Sequence, residues 1–272
     1  MQTNSLSFFE PIACLIRNRD LIYSLVKRDV IGRYQGSMLG IFWSFVNPLF
    51  MLAVYTFVFT VIFKSRWAGG TDSKVEFALL LFSGLIIFNL FAECINRAPG
   101  QITGNANYVK KVVFPLEILP WVAMGSSLFH AAVSFIVWMI AYVIFIGIPH
   151  PTVFLLPLVL LPLVLLIMGL SWLLASLGAY LRDIGQVVVI CTTVLMFLSP
   201  IFYPASALPQ SYHGLFLLNP LAPVIEQVRG IMYWGLSVDW VFLAFYMAVA
   251  SIVAWLGLAW FQKTRTGFAD VI

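Results

Sequence analysis

Five stretches of this chain carry no Asp, Glu, Lys or Arg, and their lengths decide what it can fold into. They run from Leu39 to Phe63, Phe77 to Ala92, Ile118 to Leu181, Ile184 to Ile225 and Trp240 to Gln262. A helix that crosses a bilayer needs about 20 mainly apolar residues, because its backbone polar groups must be satisfied within the segment. The stretch from Ile118 to Leu181 holds two such helices. Gly147-Ile148-Pro149-His150-Pro151 divides them, since two prolines forbid a continuous helix there. Crossing helices are therefore expected near 39–63, 75–95, 118–147, 152–181, 184–203 and 240–262. Composition agrees: 62% of the residues are hydrophobic and 10% charged, against about 45–50% and about 25% in soluble domains.

Residues 204–239 are too apolar for an ordinary wet loop, yet Pro204, Pro209, Pro220 and Pro223 cut them into pieces too short to cross. They read as an outer re-entrant segment between the fifth and sixth spans, and such backbone survives at membrane depth only against protein or water. With both termini cytoplasmic, residues 1–38 and 263–272 lie inside. Eleven of the 15 Lys and Arg then face the cytoplasm, leaving Lys64, Arg66, Lys74 and Arg229 outside. This fits the positive-inside rule. Glu10 and Pro11 interrupt the early apolar run, so no signal peptide is expected. The net charge of +4 reads as topology, not as nucleic-acid binding.

No phosphate loop, H-E-x-x-H or G-x-S-x-G occurs. Cys14, Cys94 and Cys191 form no C-x-x-C pair, so neither a metal site nor a disulfide framework is suggested. Membrane-embedded enzymes cluster carboxylates, His or metal ligands at one face, and no such cluster is visible; no catalytic residue is assigned. An ion-coupled carrier buries an ionisable group near the midplane, where His130 is the main candidate. His130 reads chiefly as an interhelical hydrogen-bond partner. If the chain transports, its energy is expected from another chain.

Three features carry the functional reading. Leu21, Ile22, Leu25, Val26 and Val30 share a helical face opposite Ser24, Lys27 and Arg28. That is an amphipathic helix for the inner headgroup layer, either a surface anchor or a docking surface. Asp29 and Arg33 are spaced for an i,i+4 ion pair. The loop 97–116 sets Asn107, Tyr108, Lys110, Lys111 and Phe114 on a short segment closed by Pro115, either a basic topogenic loop or a docking knob. Trp43, Phe50 and Phe57 recur every seven residues on the first span, and Tyr55, Phe59 and Phe63 every four. Such rings pack against lipid and helices or line a conduit for sugars. Trp67, Trp121, Trp240 and Trp260 sit where interfacial belts belong. Ala123, Ser127 and Ala131, like Ser171, Ala175 and Ala179, read as close helix packing.

Asp29-x-x-x-Arg33-Tyr34-x-x-Ser37-x-Leu39-Gly40-x-x-Trp43-x-x-x-x-Pro48 resembles the start of ABC transporter permeases that export lipid-linked polysaccharides, the O-antigen, capsule and teichoic-acid exporters. Asn107 through Pro115 resembles their coupling helix. Leu181-Arg182-Asp183-Ile184, and Asn219-Pro220 followed by Glu226-x-x-Arg229, are similar too. The resemblance implies an all-α integral membrane protein of the bacterial inner membrane: six transmembrane helices, an N-terminal amphipathic interface helix, a cytoplasmic coupling helix and the re-entrant outer segment. It implies a homodimer with two copies of a separate ATPase, which would bind ATP and Mg, and a lipid-linked glycan as substrate. Arg28, Asp29, Arg33 and Tyr34 would belong to the gate helix, with Arg28 and Arg33 near a lipid diphosphate. A drug or small-lipid exporter is the alternative cargo class.

Overall fold

The computed structural model describes residues 10–58, 74–109, 114–207, 214 and 219–271. Among them the chain is helical, with no strand. Two helices, α1 (Glu10–Arg17) and α2 (Arg19–Tyr34), precede α3 (Trp43–Phe57) and α4 (Lys74–Arg97). A short α5 (Ala106–Val109) leads to α6 (Leu119–Phe145), α7 (Leu156–Tyr180) and α8 (Ile184–Leu198). Then come α9 (Ala222–Arg229), α10 (Trp240–Thr264) and a terminal turn, α11 (Phe268–Val271).

Five helical stretches are long and apolar enough to cross a membrane: Gly40–Phe57, Val75–Gly100, Leu116–Phe145, Pro151–Tyr180 and Trp240–Gly267. Ile184–Leu198 is apolar but shorter, and Ser199-Pro200 follow it. Between α6 and α7 the chain turns at Gly147, whose φ of +124° suits glycine. It then re-enters a helix through Pro151 and Pro157, both tolerated in a first turn.

The core forms around α4, buried without interruption from Phe77 to Phe88. A helix apolar on all sides has to be enclosed. Around it stand α6 and α7, each contributing a buried tryptophan. Trp138 donates its indole N–H to the Leu79 carbonyl at 2.9 Å, and Trp172 to the Glu117 carbonyl at 2.9 Å. Trp121 joins them edge-on to Trp172, with centroids 6.0 Å apart. It is therefore a core residue and not a belt residue, whereas Trp240 and Trp260 are exposed. The most extensive helix pairing joins α7 to α10. At Gly257 an added Cβ would overlap the Gly169 backbone, so absent side chains set the helix separation. By contrast α3 buries only Ser44, and α8 only Val188 and Thr192. Both helices leave a row of apolar side chains exposed, Leu49, Phe50 and Phe57 on α3 and Val187, Ile190 and Val194 on α8.

Candidate functional site

The loop after α4 is fixed at both ends. Ala98, Pro99 and Ile102 are buried, and Pro99 lies so close to α7 that a Cβ on Gly178 would collide with its backbone. At the exit Leu116, Glu117 and Ile118 are buried, and the Glu117 carboxylate meets Arg265 at 2.8 Å. Between these anchors α5 carries Tyr108, whose ring stacks on Phe114 with centroids 4.3 Å apart and planes 8° from parallel. Asn107 is exposed beside them. Lys110 and Lys111 lie outside the described residues. The guanidinium of Arg28 donates to the Tyr108 hydroxyl at 2.8 Å, joining the interface helix to this loop.

Helix α2 packs against α6 and buries Ile22, Leu25 and Val30. The i,i+4 pair expected within it does not form. Asp29 instead takes two bonds from Arg97 Nη2, at 2.8 and 3.0 Å, and Arg33 bonds Glu93. Each partner sits on α4, so the charges clasp two helices together. Arg97 Nη1 also approaches Glu93 at 3.8 Å, which makes a chain of two cations and two anions. Burial acts to raise the Asp29 carboxyl, but the bonds from Arg97, together with Ser126 and the positive charges of Arg97 and Arg33, outweigh it and hold the group below the usual carboxylate range. Tyr34 lies 3.4 Å from Nδ1 of His130. On α1, burial and the nearby Glu117 push the Cys14 thiol up to about 12, an inert residue.

Between α2, α3, α4 and α6 opens a polar groove of about 380 Å³, lined by residues including Tyr34, Asn47, Tyr55, Asn89, Asn96 and His130. Asn47, Asn89 and Asn96 are exposed on α3 and α4. Shielded in its wall, Ser127 Oγ and His130 Nε2 have no hydrogen-bond partner. Sequence reasoning passed over these asparagines, although Asn89 and Asn96 stand seven residues apart on α4, the spacing of one helix face. Of the aromatic candidates, Tyr55 lines this groove and tilts against Phe202 at 6.5 Å. Trp43, Phe50 and Phe57 are exposed and do not line it. Phe57 instead borders an apolar pocket of about 520 Å³ with Leu49, Val75 and Phe145. Phe59 and Phe63 lie outside the described residues.

The segment after α8 is held by buried polar groups. Asn219 donates to Ser199 Oγ at 3.0 Å and accepts from the Leu221 amide at 2.9 Å, while the Pro220 carbonyl accepts from Tyr246 at 3.0 Å. Arg229 is 1% exposed. Its Nε donates to the Leu80 carbonyl at 2.9 Å and its Nη2 to the Ile201 carbonyl at 2.8 Å, while Nη1 reaches both the Pro200 carbonyl and Glu226, the latter at 3.0 Å. Counted above among outer cations, this residue is an internal strut binding α9 to α4 and to the end of α8. Among the described residues no group of three or more His, Cys, Asp or Glu could hold a metal ion.

A family model described as "ABC-2 type transporter" matches residues 20–233. The O-antigen export system permease protein RfbA of Myxococcus xanthus is 28% identical over 260 residues, covering 95% of this chain and 97% of that protein. Its namesake in Klebsiella pneumoniae is 25% identical, covering 93% and 95%. The polysialic acid transport protein KpsM of Escherichia coli is 25% identical over 244 residues, covering 89% and 92%.

Proposed function

This chain belongs to the ABC-2 type transporter family, and on that premise we propose that it is the membrane subunit of an ABC exporter that moves a lipid-linked polysaccharide across the bacterial inner membrane. The observation that carries this reading is similarity over nearly the whole length to O-antigen and capsule export permeases. That favours a glycan cargo over a drug or small lipid. Two copies form the conduit, and two copies of a separate ATPase bind ATP and Mg and supply the energy. Both termini are cytoplasmic. Ile184–Leu198 makes the fifth of six crossings, its ends completed by residues 199–203, and residues 204–239 shape the exit.

Within this scheme Asn107, Tyr108 and Phe114 form the surface that enters the ATPase, and Lys110 and Lys111 belong to the same loop by sequence. What supports this is a stacked aromatic pair on a loop rigidly anchored at both ends, since a stiff lever transmits displacement without loss. The Arg28–Tyr108 bond gives the lever a direct hold on α2, the gate helix. Asp29, Arg33 and Tyr34 hold that helix closed against α4 and α6. Arg33 is paired with Glu93 here, so contact with a lipid diphosphate requires it to exchange partners, whereas Arg28 gives up only a neutral hydroxyl.

Co-expression with the partner ATPase tests the scheme. A complex of two chains of each kind is expected, and Tyr108→Ala with Phe114→Ala should weaken docking at least tenfold while membrane insertion is kept. Docking that is indifferent to both changes would remove this loop from the mechanism.

A further inference from the structure

We propose that the polar groove between α2, α3, α4 and α6 binds an uncharged, hydroxyl-rich saccharide unit of the cargo through its asparagine side chains. The inference rests on the reading of the chain as a glycan exporter's subunit and adds a site and a substrate charge class to it. Its starting point is a placement that hydrocarbon does not tolerate. Asn47, Asn89 and Asn96 are exposed on membrane-crossing helices, and an amide without partners in lipid costs several kcal/mol. The structure pairs neither Asn47 nor Asn89 with any described group, and Asn96 accepts one bond, from Thr192 at 2.9 Å. This face therefore meets water or a polar ligand, and not acyl chains.

The chemistry of the lining selects among polar ligands. An asparagine side chain offers two donors and an acceptor, which complements vicinal hydroxyls, each itself donor and acceptor. Tyr55, part-exposed in the lining, supplies a ring for the apolar C–H side of a pyranose. The groove's about 380 Å³ would hold about a dozen waters at roughly 30 Å³ each, as many non-hydrogen atoms as a hexose has.

The charges decide the class. Arg33, Glu93, Arg97 and Asp29 neutralise one another, so no unpaired cation among the described residues faces the groove. A sialic or uronic acid entering it would bring a charge whose nearest counter-ion among the described lining residues, Arg33, is already held by Glu93. A neutral hexose brings none.

The test uses the complex of this chain with its ATPase in lipid nanodiscs, probed by saturation-transfer NMR with maltohexaose and with an oligosialic acid of equal length. Saturable maltohexaose binding is expected. It should fall about tenfold, two hydrogen bonds' worth, in Asn47→Leu and in Asn89→Leu, recover in Asn89→Gln, and resist competition by the oligosialic acid. Binding unaffected by either leucine variant, equal competition by the acidic glycan, or no binding by an intact complex would each overturn the groove assignment. Leucine variants that fall apart into single chains would also overturn it, making these asparagines subunit contacts. Failure of the unmodified chain to bind the ATPase would instead refute the exporter reading beneath it.

Discussion

Replacing Arg229 by methionine removes a guanidinium that satisfies three carbonyls and a carboxylate at a site 1% exposed. The Leu80 carbonyl keeps a second donor, Ser83 Oγ at 2.8 Å, so its loss is partial. The Pro200 and Ile201 carbonyls are left buried beside an apolar side chain, at about 1–3 kcal/mol each. Glu226 is 37% exposed and regains water, so it adds little. The sum is a destabilisation of about 2–6 kcal/mol, or roughly thirtyfold to twenty-thousand-fold in the folded-to-unfolded ratio. Equilibrium unfolding in mixed detergent, followed by tryptophan fluorescence, measures it. Arg229→Lys keeps the charge but lacks the rigid fork, so it should fall between the wild type and Arg229→Met. A methionine variant within about 1 kcal/mol of wild type would refute the strut and return Arg229 to the solvent-facing role its charge suggests.

Two further outcomes follow from the packing and the clasp. Gly257→Leu should be the most disruptive small-to-large change on α10, costing more than about 3 kcal/mol, because the obstruction is Gly169 backbone and not a movable side chain. Purified yield and unfolding midpoint read this out, with Ala250→Gly as a mild control. Because Asp29 is held below its unfolded value of about 3.9, its contribution is fully present above that pH and lost as pH falls through the lower folded value. Spin labels on α2 and α4 should therefore keep their separation from pH 7 down to about 5 and move apart on further acidification. Asp29→Asn should show the wider distance at neutral pH.

The helical architecture was legible because charge-free runs and the Gly147–Pro151 break are local facts, and a membrane allows one response to each. What escaped was everything set by distant partners. The Asp29–Arg33 spacing is a valid local signal, yet the winning partners, Arg97 and Glu93, lie more than fifty positions along the chain, where no periodicity points. Arg229 counts as an outer cation by topology, and only the convergence of α4, α8 and α9 shows it to be internal. Trp121 sits at a span end, where a belt residue belongs, but Trp172 encloses it. Asn89 stands within the charge-free run from Phe77 to Ala92 and Asn96 one helical repeat of seven further along, beyond Glu93, and only the placement of α3 and α6 beside them makes a groove. Of the aromatics, Tyr55 faces the groove while Phe57, two residues on, faces the apolar pocket, a division that follows from helical geometry.

The central claim is a division of labour, with this chain as conduit and a separate ATPase as motor. ATP-dependent uptake of a radiolabelled lipid-linked glycan into inside-out vesicles measures it directly. Vesicles holding both proteins should accumulate the glycan only with ATP and Mg, and vesicles holding either protein alone should accumulate none. ATP-driven uptake by this chain without the ATPase, or none by the assembled pair, would contradict the account.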